Sequence, residues 1–353
     1  MAFVLLLSTG CVISPRRTLG DTNPTPTPTA TPTPTISPTP TPVSAVPTGK
    51  LYVSNSNDNS IFRFDNAFTA TGNVAPAATI SGGATTLSSP AFITLDSVND
   101  RLFVANNGGA GVLIFDNIST KTGSIAPERT ITGPLIAPTD VAVDTAKDLL
   151  YVVDDTEIYV FASASTATDP ISPIHDITVS FAVSGIFIDS ANDRLYVTDA
   201  AGNDVQVYNS ASTQDGPPTV ARTLQGANTQ LSNPASILID GLGRLIVTNG
   251  GNGGATAPSI NIYANAATLN GNTAPSAQIK GAATLLSAPD QLALDITGTG
   301  TLYNADSGAA HVAAFTGLNT ANGNVTPARV ISGASTGLSV AGRPEGVAID
   351  ITR

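Results

Sequence analysis

Three carboxylates hold the best-defined potential for chemistry in this chain. Asp140, Asp290 and Glu345 each stand one or two residues after a proline that opens an apolar segment, at Pro138, Pro289 and Pro344. Carboxylate oxygens are hard donors, and three of them converging with Asx side chains nearby would suit calcium. The residues that follow such prolines differ between segments and also include Phe92, Ser236 and Gln291. That place therefore varies where its surroundings repeat, and a site would be written there. The two histidines, His175 and His311, fall outside that place and read as surface or packing residues. The sequence offers neither a nucleophile elbow nor a P-loop. Gly250–Gly254 joins two apolar segments instead of opening a helix, so it reads as a mobile loop and not as a phosphate cradle. The net charge of -11, from 15 Lys+Arg against 26 Asp+Glu, excludes nucleic acid as a partner, because no basic surface is available to neutralise phosphates.

The elements that must position these residues are strands. Charged residues make up only 12% of the chain, while 32 Gly and 25 Pro punctuate it throughout, a composition of short strands and turns. One pattern returns six times: a Pro-led apolar strand ending in Asp, a tight turn, a second strand, a third ending in an aromatic, and a fourth near Gly. The terminal Asp residues are Asp96, Asp144, Asp189, Asp240, Asp295 and Asp350, at separations of 48, 45, 51, 55 and 55 residues. These periods match four-stranded propeller blades. Each Asp precedes a turn whose backbone N–H groups it can accept, so the series reads as structural. Asn55, Asn106, Asp154, Asp199, Asn249 and Asp306, near the ends of second strands, read the same way. Tyr151, Tyr159, Tyr196, Tyr208 and Tyr263 fall on strand positions suited to packing between blades.

The ends of the pattern supply a check. The first copy starts at Leu51-Tyr52-Val53-Ser54, a second strand with no first strand before it, while Val347-Ala348-Ile349-Asp350 is a first strand followed by only three residues, where a second strand would be expected. Pairing the two closes a ring and removes the free sheet edges. The predicted fold is therefore all-β, a six-bladed β-propeller of four-stranded antiparallel blades over residues 50–353, closed by the C-terminal strand against the N-terminal three. Pro344-Glu345-Gly346-Val347-Ala348-Ile349-Asp350 resembles an NHL repeat. Second strands such as Leu195-Tyr196-Val197-Thr198-Asp199 are similar to YVTN propeller repeats. Calcium-dependent propeller lactonases resemble the acidic mouth in outline, which implies Ca as a cofactor of Asp140, Asp290 and Glu345.

Cys11 is the only cysteine, so the chain has no intramolecular disulfide and no Cys-based zinc site. It follows an apolar run, Ala2 to Leu7, too short to span a bilayer, and the small residues Ser8-Thr9-Gly10. Ser8-Thr9-Gly10-Cys11 resembles a bacterial lipobox, which implies a lipoprotein signal peptide at 1–10 and a diacylglyceryl group on Cys11. The following segment to residue 49 alternates Pro and Thr, and such a stretch is an extended polyproline-II stalk on the order of 80 Å long. Val12 stands where Asp would signal inner-membrane retention, so an outer-membrane or cell-surface location is expected. Three roles stay open: a monomeric binding scaffold for a protein, glycan or other extracytoplasmic ligand; a calcium-dependent hydrolase or lactonase; and a structural envelope protein. Mass spectrometry of the mature N-terminus should find an acylated Cys11, and an unmodified Cys11 or cleavage elsewhere would remove the anchor.

Overall fold

The computed structural model describes residues 48–251, 257–295 and 300–353. The expected signal segment 1–10, Cys11, nearly all of the expected stalk at 11–49 and most of the Gly-rich loop lie outside the described residues. The chain forms six four-stranded antiparallel sheets arranged as blades in a ring. Each blade has one inner strand at the ring's centre. These are Pro344–Asp350, Pro90–Asp96, Asp140–Asp144, Val183–Asp189, Pro234–Ile239 and Pro289–Asp295, in blades one to six. Blade one is completed by Lys50–Asn55, Ser60–Asp65 and Ala78–Ser81.

The terminal Asp residues work as their positions suggest. The Asp144 carboxylate accepts the N–H groups of Ala146 and Lys147, both at 3.0 Å. That of Asp240, one residue past its strand, accepts those of Leu242 and Arg244, both at 2.9 Å. Second-strand Asx residues do the same at the opposite end, where Asp154 holds the N–H of Ile136 at 2.6 Å and Asp306 that of Ser287 at 2.8 Å. Second strands are apolar on both faces because each sheet is covered on both sides by its neighbours. One continuous cluster joins Tyr151, Ile158 and Ile177 of blade three to Ile186, Leu195 and Tyr208 of blade four. Two tyrosine hydroxyls reach across other seams: Tyr196 donates to the Ala266 carbonyl at 3.2 Å and Tyr303 to that of Ala67 at 3.1 Å.

Ring closure follows the split blade. Lys50–Asn55 pairs with Ser60–Asp65 on one edge and with Pro344–Asp350 on the other, in the register Leu51↔Ile349, Tyr52↔Ala348 and Val53↔Val347. Without that partner the first strand would expose a row of unpaired backbone groups.

At the periphery, each blade clasps the one before it. The loop between third and fourth strands carries a glycine that bridges to the preceding blade's outer strand: Gly72 to Ile331, Gly123 to Ile80, Gly216 to Ile177, Gly271 to Leu224 and Gly323 to Ile279. In three of these loops the next residue is an asparagine whose Oδ1 accepts a backbone N–H from the following turn of that preceding blade. Asn73 takes Ser335, Asn272 takes Asn228 and Asn324 takes Ala283, each at 2.7 Å. The remaining seam uses Asp169, whose N–H donates to the Thr130 carbonyl at 2.9 Å and whose carboxylate accepts the Thr132 N–H.

The clasp constrains the residue that starts each peripheral turn. Gly226 has φ +121°, and a Cβ there would lie 2.6 Å from the Asn272 side chain. Gly226→Ala should therefore cost about 1–3 kcal/mol in thermal or chemical unfolding. Gly241→Ala, at a turn with nothing within 4 Å of an added Cβ, should be close to neutral in the same measurement.

Candidate binding mouth on the leading face

The inner strands all begin at one face, called here the leading face. Five of the six shift register against their second strand just after the first residue, as a β-bulge does; only Asp140–Asp144 pairs without a shift. A bulge frees backbone N–H and C=O groups from the ladder, and buried groups of that kind require other partners. In this ring the partners come from across the seam. Ser54 Oγ accepts the Gly346 N–H at 2.8 Å and donates to the Ala91 carbonyl at 2.6 Å, joining blades one and two. Thr94 Oγ1 donates to the Val141 carbonyl at 2.8 Å, joining two and three. The Asp140 carboxylate accepts the Val141 and Ile186 N–H groups at 2.7 and 2.8 Å, joining three and four. Thr198 Oγ1 donates to the Ala235 carbonyl at 2.8 Å, and Ser236 Oγ accepts the Leu292 N–H at 3.2 Å, which carries the ring to blade six. Gln291 completes it: Oε1 accepts from Val347 of blade one at 2.9 Å and from Ile93 of blade two at 3.0 Å, while Nε2 donates to the Ile93 carbonyl at 2.9 Å.

Above this collar opens a polar cleft of about 450 Å³. Each blade contributes to it, through residues such as Asn57, Phe92, Thr139, Ser184, Asn233 and Asp290, together with Arg343 and Glu345. Two of the three carboxylates singled out by sequence thus share the mouth. The Asp290 carboxylate accepts the Ser307 N–H at 3.1 Å, and Glu345 pairs with Arg343 at 2.8 Å. Asp140 does not join them. It lies three blades from Asp290, on the opposite side of the ring, below the mouth and spent on two backbone N–H groups. Among the described residues, no group of three or more His, Cys, Asp or Glu is arranged to hold a metal ion. The calcium reading therefore keeps only Asp290 and Glu345 at one place.

Other sequence candidates resolve as structure. His311 is buried beside Asp306, and burial holds its pKa below the ordinary imidazole value. His175 opens the outer strand of blade three, far from the inner strands. Contrary to the expectation that no nucleophile elbow is present, Gly333-Ala334-Ser335-Thr336-Gly337 has the letters of Gly-x-Ser-x-Gly. That string forms a peripheral 3₁₀ turn after an outer strand, not a strand-to-helix elbow, and the Ser335 N–H is held by Asn73. The functional weight of Gln291, Ser54 and Thr198 as ties was invisible in sequence.

Fold and mouth together define the class: a closed six-bladed β-propeller with a polar mouth built from all six blades. The chain is similar to a chain in the solved structure "Crystal structure of Nidogen/Laminin Complex", at 13% identity and TM-score 0.55, covering 86% of this chain and 98% of that one. A functionally unknown protein from Desulfotomaculum acetoxidans DSM 771 is similar at 13% identity and TM-score 0.54, with 85% and 98% covered. At that identity the likeness is one of fold. No family model matches the chain, and no curated protein matches it in sequence.

Burial pushes the Asp140 carboxyl up to about 7, against the two N–H bonds that favour its anion. Burial also pushes Asp290 up to about 7; the Ser307 bonds oppose this, and the charges of Glu345 and Asp306 add to it. Glu345 is raised by burial too, with Arg343 opposing. A folded-state value above the unfolded one means that the stability these groups confer is complete below about pH 4 and is lost as pH rises through about 7. Melting temperatures measured across this window should fall toward high pH in the native chain, and Asp290→Asn should flatten the fall. An unchanged slope in Asp290→Asn would show that the buried carboxyl is not its source.

Proposed function

We propose that this chain is a binding scaffold, tethered outside the cytoplasm through a lipidated Cys11 and the Pro/Thr-rich stalk, whose leading-face mouth recognises another protein. The observation that carries the reading is the division of labour at the inner strands. One set of non-repeating residues is consumed in tying the blades, while the adjacent set lines a cleft open to solvent. Exposed aliphatic side chains on loops of the same face support a protein as the ligand: Ile136 is 78% exposed, Val340 61% and Leu285 47%. Apolar contacts beside a polar, hydrogen-bonding centre are what protein interfaces use, and a rigid ring supplies them without ordering cost. The nidogen/laminin likeness adds the precedent of a propeller-like fold in a protein complex, by analogy alone. The sequence features at 1–49 support the anchor and the extracytoplasmic location.

A test is saturable capture of a partner from envelope material on the immobilised chain. Arg343→Glu and Val340→Asp should each weaken that capture by on the order of tenfold, about 1.4 kcal/mol, and Val340→Asp should do so with no change in melting temperature. Capture that is indifferent to both substitutions, or no saturable partner at all, would refute the binding role.

A further inference from the structure

Beneath the mouth, the ring encloses a second space. It is a central channel of about 360 Å³ that shares no lining residue with the mouth cleft. Its wall is aliphatic. The residue before the terminal Asp of each repeat gives one ring, Leu95, Val143, Ile188, Ile239, Leu294 and Ile349, and the residue two earlier in each strand gives a second ring, also of branched aliphatics. Five of the first six are only half-buried although they sit at the centre of the molecule, so the surface they leave uncovered faces the channel.

The channel's four polar side chains are already engaged. Asp140, Ser236, Thr94 and Gln291 all lie in the collar, and each is bonded to backbone: Asp140 by both of its carboxylate oxygens and Gln291 by both ends of its amide. Gln291 reaches from blade six past blade one to blade two, so the collar narrows the leading end of the channel and favours the trailing face, where the Asp turns are, as the way in. Three basic side chains at those turns are paired, Lys147 with Asp144, Arg244 with Asp240 and Arg353 with Asp350.

We propose that this channel is a binding cup for one small, uncharged apolar molecule, entered from the trailing face and separate from the partner-binding mouth. An aliphatic wall with no polar group left to satisfy offers a guest burial and dispersion and nothing else. An apolar cavity of about 150 Å³ stays dry and takes up benzene, so this one has room for a guest of on the order of fifteen carbon atoms. A carboxylate-bearing guest is disfavoured. Drawn fully into the cup, its charge would lose water and find no cation among the described lining residues.

The neutral fluorophore N-phenyl-1-naphthylamine tests this on the full chain, whose lack of tryptophan leaves the signal uncluttered. Saturable one-to-one binding is expected, displaced by decanol on the order of tenfold better than by decanoate. The double substitution Val143→Phe/Ile239→Phe should fill the cup and weaken the probe by on the order of tenfold or more. Ile174→Ser, at an exposed peripheral position, should leave the affinity within about twofold. If the double variant does not fold, a crystal of the native chain under xenon pressure replaces it, and xenon density within the aliphatic rings is the expected result. Non-saturable uptake, equal displacement by decanoate, full binding by a folded double variant, or no xenon in the channel would overturn the proposal.

Discussion

The architecture depends on satisfying the backbone groups that the bulged inner strands set free at the centre of the ring. Strands that begin with proline and bulge at once cannot complete their own ladder. Each inner strand is therefore held across a seam by a side chain, as Ser54 holds Gly346 and Ala91, or Gln291 holds Val347 and Ile93. Together with the peripheral clasps, this ties each blade to the next at both its inner and its outer edge. The closure of Lys50–Asn55 on Pro344–Asp350 then makes the ring a single cooperative object whose centre is built from both ends of the described chain.

That constraint also sorts the residues that vary between repeats. Asp290 and Gln291 are neighbours in sequence and both differ from their counterparts in other blades. One faces the mouth and the other reaches across the channel, as Thr139 and Asp140 divide in blade three. Phe92, Asp290 and Glu345 face the cleft, while Ser236, Gln291 and Asp140 are consumed below it. The leading face is thus free to differ chemically without loosening the ring, as a recognition surface on a repeated scaffold requires.

The periodic Asp residues, the doubly apolar second strands and the split blade were legible in sequence because each is a local pattern repeated at a fixed spacing. The candidate site was only half legible. Asp140 stands two residues after its proline and four before the terminal Asp, the place that Ser236 and Gln291 hold, whereas Asp290 and Glu345 stand one residue after theirs, the place of Thr139. Treating the two places as one hid the alternation along the strand, which puts the Asp140 carboxylate against the Ile186 N–H and leaves Thr139 in the mouth. The clasps escaped notice for a related reason. The recurring Gly-Asn of Gly72-Asn73 and Gly323-Asn324 is visible, but the partners lie in the preceding blade, and for Gly72 more than two hundred residues away.

The central claim is that the mouth sits on a ring rigid enough to hold six unlike segments in one arrangement. Native-state hydrogen exchange of the Ile93 and Val347 amides tests it most directly, since these two groups come from distant parts of the chain and share the Gln291 carbonyl oxygen. The ring described here predicts that both exchange only through global unfolding, with the same opening free energy and the same denaturant dependence as the Leu51 and Val53 amides of the closing blade. Exchange of either one through a low-energy local opening would contradict it.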